Sequence, residues 1–95
     1  MHNWLMLVIW DPVKAKANLT KHHVHFSDAE TALFDPSALT VEEQDANGER
    51  RFVTVGSDGL GRVLVVVYTY RGEAIRLISA RRATPSERED YEKGI

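Results

Sequence analysis

Apolar residues fall along the chain in runs of two kinds, unbroken and interrupted. The stretch Val63-Leu64-Val65-Val66-Val67-Tyr68 is unbroken, as expected for a strand flanked on both sides and covered by helices on at least one face. The central strand spans Arg62 to Tyr70. Shorter runs from Arg51 to Gly56 and from Ala74 to Ala80 flank it across Ser57-Asp58-Gly59-Leu60-Gly61 and Arg71-Gly72-Glu73, glycine-containing loops of hairpin length. These segments read as an antiparallel meander. A further apolar run, Trp4 to Trp10, reads as a buried strand added to the same sheet.

The segments around the strands carry helix punctuation. Asp11-Pro12 offers an N-cap followed by proline at the first helical position, so a helix is predicted from Pro12 to Lys21 or His22. Ser27-Asp28-Ala29-Glu30 is a capping box that opens a shorter helix carrying Ala29, Ala32 and Leu33. That helix ends before Asp35-Pro36, because the residue ahead of proline disfavours the helical region. The polar, acidic segment Ser37 to Gly48 closes on Asn47-Gly48 and reads as a loop. Thr84-Pro85-Ser86-Glu87 supplies a cap, a first-turn proline and a reciprocating glutamate for a last helix. Strand, two helices, meander and helix in that order predict an α+β domain with a small antiparallel sheet.

Composition narrows the class. Ninety-five residues with 43% hydrophobic content suit one core, so residues 1–95 are expected to form a single domain. The absence of cysteine removes disulfides, thiolate metal sites and a cysteine nucleophile, and it fits a reducing cytoplasmic setting. Trp4 to Trp10 falls far short of the about 20 residues that cross a bilayer and lacks a basic flank and cleavage site, so no membrane role is expected. A net charge of -2 and a pI near 6.0 depart from the basic balance usual in nucleic-acid-binding domains. Distribution changes that picture. Between Pro12 and Ser27 stand Lys14, Lys16 and Lys21 with His22, His23 and His25 and no acid, while acids gather between Glu42 and Glu49. With Arg50, Arg51, Arg76, Arg81 and Arg82, that segment could build one positive face for phosphate, or remain solvated charge.

The segment Ile75-Arg76-Leu77-Ile78-Ser79-Ala80-Arg81, followed by Thr84, Glu87, Arg88, Tyr91 and Glu92, resembles the C-terminal signature of the BrnT family. Trp10-Asp11-Pro12-Val13-Lys14-Ala15-Lys16-Ala17-Asn18 and Lys21-His22-His23-Val24-His25-Phe26 with Ala29 resemble its N-terminal signature, and Glu49 to Gly56 resembles its middle. The resemblance covers most of the chain from Trp10 to Glu92. It implies a RelE-like toxin fold and a metal-independent ribonuclease toxin of a type II toxin-antitoxin pair that cleaves RNA and inhibits translation. The implied partners are an RNA substrate and a BrnA-type antitoxin, with DNA contacted only through the antitoxin; no cofactor is implied. Where the family commonly has glycine after its histidine, this chain has His23. A non-catalytic module that binds RNA or protein on the same fold is the alternative.

Cleavage of the implied kind needs a base for a ribose 2′-hydroxyl, cations for the phosphate oxygens and an acid for the leaving oxygen. Arginine suits phosphate because its planar fork donates two parallel hydrogen bonds, which makes Arg50, Arg51, Arg76 and Arg81 the pool, with Arg76 and Arg81 ranked first and Arg82 and Ser79 as further RNA contacts. By resemblance His22 is placed for proton transfer, with Lys21 its rival and Glu49, Tyr68 and Tyr91 as alternatives. Each has a bland reading as well: His22 as a cation at a helix C-terminus, Arg76 as the partner of a buried carboxylate, Ser79 as a bond within the sheet. His22-His23-x-His25 is not assigned to a metal, since consecutive histidines diverge on a helix and no carboxylate stands at a customary spacing.

Overall fold

The computed structural model describes residues 7–94. In chain order these form β1 (Leu7–Ile9), α1 (Pro12–His22), α2 (Phe26–Leu33), β2 (Leu39–Gln44), β3 (Arg50–Ser57), β4 (Val63–Arg71), β5 (Ala74–Arg82) and α3 (Pro85–Lys93). One five-stranded sheet has the order β1-β5-β4-β3-β2. The unbroken apolar strand β4 lies at its centre, where both edges are paired and Val63 to Val66 and Tyr68 are buried, while Tyr70 and Arg71 at its end are exposed.

Four features depart from the sequence expectation. The segment read as a loop contains β2, an edge strand pairing antiparallel with β3 from Leu39 opposite Val55 to Gln44 opposite Arg50. An edge strand with little cover keeps polar side chains, and here they are used: Thr40 bonds Thr54 at 2.8 Å and Glu42 chelates Arg50. The first strand adds parallel to β5, Leu7 opposite Ala74, so the sheet is mixed rather than antiparallel. It is not buried: Leu7 is 66% exposed, and Trp4 to Met6 of the expected strand lie outside the described residues. Finally, α2 begins at Phe26 with His25 as a cap that makes no side-chain bond, two residues ahead of the expected Ser27 cap. Burial of Phe26, 2% exposed, draws it into the first turn and leaves Ser27 inside the helix, its carbonyl accepting from Thr31.

The remaining helix signals act locally. Asp11 accepts the N–H of Val13 at 2.9 Å, and α1 stops at His22 because His23 takes a left-handed conformation, φ 59, returning its N–H to Leu19. That conformation is the one glycine adopts without cost, so the turn survives the replacement by histidine at some expense in strain. In α3, Thr84 and Glu87 complete their reciprocal capping box.

Helices α1 and α2 cover one face of the sheet. Leu64, Val66, Tyr68, Ile75, Leu77 and Ala80 point toward them and pack with Val24, Phe26, Ala29 and Ala32. Full burial of a residue such as Leu64 or Leu77 contributes about 1.5–3 kcal/mol each. Contact is close at Gly56, where a Cβ would stand 2.3 Å from the carbonyl oxygen of Ala32. The second face carries Leu39, Val41, Val53, Val55, Val65 and Val67, over part of which α3 lies. No residue of α3 is buried; polar clasps hold it, Glu87 to Arg81 and Tyr91 to Asp35.

One irregularity in the β4–β5 ladder decides which side chains share a face. β4 and β5 pair in register from Leu64 with Arg82 to Val67 with Ser79, then resume at Tyr68 with Leu77, leaving Ile78 as an extra residue in a bulge. Strict alternation would send Arg76 and Ser79 to opposite faces. The bulge puts Arg76, Ser79 and Arg81 all on the second face, opposite Thr69, Val67 and Val65.

Candidate active site

Among the described residues no strand lies beside the outer edge of β5 beyond Arg76, because β1 pairs with Ala74 to Arg76. Helix α1 closes that edge through one side chain. Asn18 accepts the N–H of Ala80 at 3.0 Å and donates to the carbonyls of Ala80 at 2.9 Å and Val24 at 3.0 Å, while being 6% exposed. It substitutes for a neighbouring strand where an unpaired backbone would be costly. This role was missed at the sequence level, although a signal existed. Ala15, Asn18, Leu19 and His22 recur at helical spacing on one stripe, and a polar residue on a stripe that faces the core needs partners.

With α1 so placed, Lys14, Lys21 and His22 stand beside Ile78 and Ser79 around a cavity of about 210 Å³. Two basic chains, an imidazole and a hydroxyl therefore meet at the bulge. The second face continues the site toward Arg76, whose neighbours are Thr69 across the pair to β4 and Ile9 across the pair to β1. Among the described residues no carboxylate forms an ion pair with Arg76, so the reading of it as one half of a buried pair finds no partner there. It borders a cavity of about 360 Å³ with Ile9, Trp10, Asp11 and Arg71.

Arg51 shares this face, opposite Glu43, and reaches Asp45 at 3.5 Å. Its Nε is buried without a hydrogen-bond partner among the described residues, a donor that gains from any rearrangement giving it an acceptor. Arg81 is committed differently. Its guanidinium grips Glu87 with two bonds of 2.8 and 2.9 Å, which raises its own pKa and, aided by the Thr84 amide, draws the Glu87 carboxyl down to about 2. A phosphate at Arg81 has to compete with that fork.

The single positive face expected from the sequence divides in two. Alternation along β3 and β5 turns Arg50 and Arg82 to the helix-covered side, opposite Arg51 and Arg81. Arg50 is occupied there by Glu42 and lies 5.9 Å from the Phe52 ring centre. Of the alternative proton carriers, Tyr68 is buried and bonded to Thr54 at 2.9 Å, Tyr91 donates to Asp35, and Glu49 is exposed on the β2–β3 turn. The structure thus gathers Lys21, His22 and Ser79 around one cavity at the bulge, places Arg76 beside a neighbouring cavity on the face that Ser79 and Arg51 share, and leaves Arg50 and Arg82 apart.

No curated protein matches the chain. The crystal structure of the Brucella abortus ribonuclease toxin BrnT is similar to it, with 29% identity, a TM-score of 0.66, and coverage of 84% of this chain and 99% of that one. The family profile of the ribonuclease toxin BrnT of type II toxin-antitoxin systems matches residues 10–87, which takes in Trp10, the basic helix, the bulged strand and the Thr84–Glu87 cap. The chain therefore belongs to the BrnT family of ribonuclease toxins of type II toxin-antitoxin systems.

Proposed function

We propose that this protein is a metal-independent endoribonuclease that cuts RNA at the β5 bulge, inhibits translation in the cytoplasm, and is neutralised by a BrnA-type antitoxin. The observation that carries the reading is Arg76: a guanidinium with no ion-pair partner among the described residues, put by the bulge on the same face of β5 as Ser79, whose own cavity is lined by Lys21 and His22. A phosphodiester against this face meets a fork of parallel donors at Arg76 and a hydroxyl at Ser79.

The chemistry follows from these groups. The ribose 2′-oxygen attacks phosphorus as its proton passes to a base, the phosphorus–5′-oxygen bond breaks, and an acid returns a proton to the leaving oxygen. The products are a 2′,3′-cyclic phosphate and a free 5′-hydroxyl. His22 and Lys21 supply the proton-transfer groups, and Arg76, supported by Arg51, stabilises charge on the non-bridging oxygens. Arg81 and Glu87 hold α3 across the neighbouring part of the face. An antitoxin with complementary charge blocks the site by covering it, and DNA is reached only through that partner.

Arg76→Ala tests the assignment. Loss of a phosphate-stabilising donor lowers cleavage by about 10²–10³-fold with little change in melting temperature. His22→Gln and Lys21→Ala lower it with stability intact, and cleavage persists in a metal chelator. Arg76→Ala cutting RNA at the parent rate refutes the site; a parent chain unable to cut RNA when freed of antitoxin leaves the binding-module reading.

A further inference from the structure

The cavity bordered by Ile9, Trp10, Asp11, Arg71 and Arg76 is not used by the chemistry just described, apart from Arg76 at its rim. It forms where β1 ends, α1 begins and the β4–β5 hairpin brings Arg71 onto the same face as Arg76. At about 360 Å³ it is within the range of small-ligand sites. Its lining combines an aromatic residue, two arginines and one carboxylate. That donor and acceptor set is selective. A carboxylate only accepts, and guanine is the one RNA base that offers it two adjacent N–H donors, from N1 and N2. Adenine and cytosine set a ring-nitrogen lone pair beside their single amino group, and uracil sets a carbonyl on each side of its one N–H, so each presents the carboxylate with a repulsive acceptor. On its other edge guanine carries O6 and N7, the pair that arginine grips bidentately. Bases of single-stranded RNA are free to splay out and lie against aromatic side chains such as Trp10.

We infer that this cavity is a guanine subsite, with Asp11 and Arg71 reading the base next to the phosphate held at Arg76. The placement of RNA rests on the ribonuclease reading; the base selectivity rests on the cavity's own groups. Asp11 already accepts the Val13 N–H through Oδ1 at 2.9 Å, and each carboxylate oxygen has a second lone pair for a base donor. The helix cap and the base reader are therefore one side chain.

The test uses the whole chain and the nucleoside 3′,5′-bisphosphates of guanine, adenine, cytosine and uracil, which set a phosphate on either side of the base. Binding is followed by amide shifts at Asp11, Arg71 and Arg76. Guanosine bisphosphate is expected to bind about tenfold or more tightly than the other three. Asp11→Asn keeps the cap, since asparagine caps as well as aspartate, and removes the second acceptor, so the preference collapses at unchanged melting temperature. Arg71→Gln, at an exposed position, also erodes it. Equal binding of all four bases, or a preference that survives both substitutions, overturns the subsite. RNA cleavage without guanine preference removes the subsite and leaves the enzyme; guanine-selective binding without cleavage removes the enzyme and leaves the subsite.

Discussion

Asn18→Ala separates the stability of the bulged strand from its chemistry. The substitution deletes three hydrogen bonds of 2.9–3.0 Å to main-chain groups of Val24 and Ala80, both fully buried. At a net value of about 1 kcal/mol per bond the loss is about 3 kcal/mol, and stranding buried groups raises the figure toward about 5 kcal/mol unless water enters the space. Against a total of about 5–15 kcal/mol for a domain, this is a large share. With about 4–8 °C per kcal/mol, the melting temperature falls by at least about 12 °C. Urea titration of parent and variant gives the difference directly. Asn18→Asp sharpens the test because it keeps the shape and the acceptor for Ala80 N–H but loses both donors. It is at least as damaging at neutral pH and partly recovers in acid, where a protonated carboxyl again donates. Loss of less than about 1 kcal/mol in Asn18→Ala would refute the view that this amide completes the sheet edge.

Three other outcomes can be measured on the same protein. The Glu87 carboxyl ionises at about 2 instead of 4.5, held down by the Arg81 fork and the Thr84 amide, so its contribution is present above pH 4.5 and lost as pH falls through about 2. Glu87→Gln, which retains a capping-box residue, flattens stability across that window; an unchanged acid limb in urea titrations contradicts the assignment. His23→Gly relieves about 1–2 kcal/mol of left-handed strain at φ 59 against about 0.5–1 kcal/mol of added chain entropy, for a net gain of up to about 1.5 kcal/mol visible as a higher melting temperature. Gly56→Ala drives a methyl to 2.3 Å from the Ala32 carbonyl and costs about 1–3 kcal/mol as α2 shifts off the sheet, read as a lower urea midpoint.

What the residues alone revealed was set by neighbours in sequence. The cap of α1 by Asp11, the Thr84–Glu87 box and the two meander turns depend on contacts within a few residues, and each stands where the local pattern puts it. The apolar run of β4 marks the sheet centre because no other environment tolerates it. The family resemblance also came from the residues, since its segments spread over most of the chain and correspond to the span matched by the family profile.

Tertiary pairing decided the rest. An acidic edge strand looks like a loop until β3 offers Arg50 and Arg51 to Glu42 and Asp45, because one edge and one partly covered face leave little apolar demand. Nothing local specifies that β1 joins β5 in parallel, or that Phe26 advances the start of α2 by being buried. The division of Arg50 from Arg51 and of Arg81 from Arg82 was available from strand alternation. The reunion of Arg76 with Ser79 was not: it depends on an extra residue, Ile78, inserted between two ladder segments, while Asn18 on α1 pairs with the free edge at Ala80. A chain read in order lists side chains, but which of them share a face follows from register, and register is fixed by partners distant in sequence.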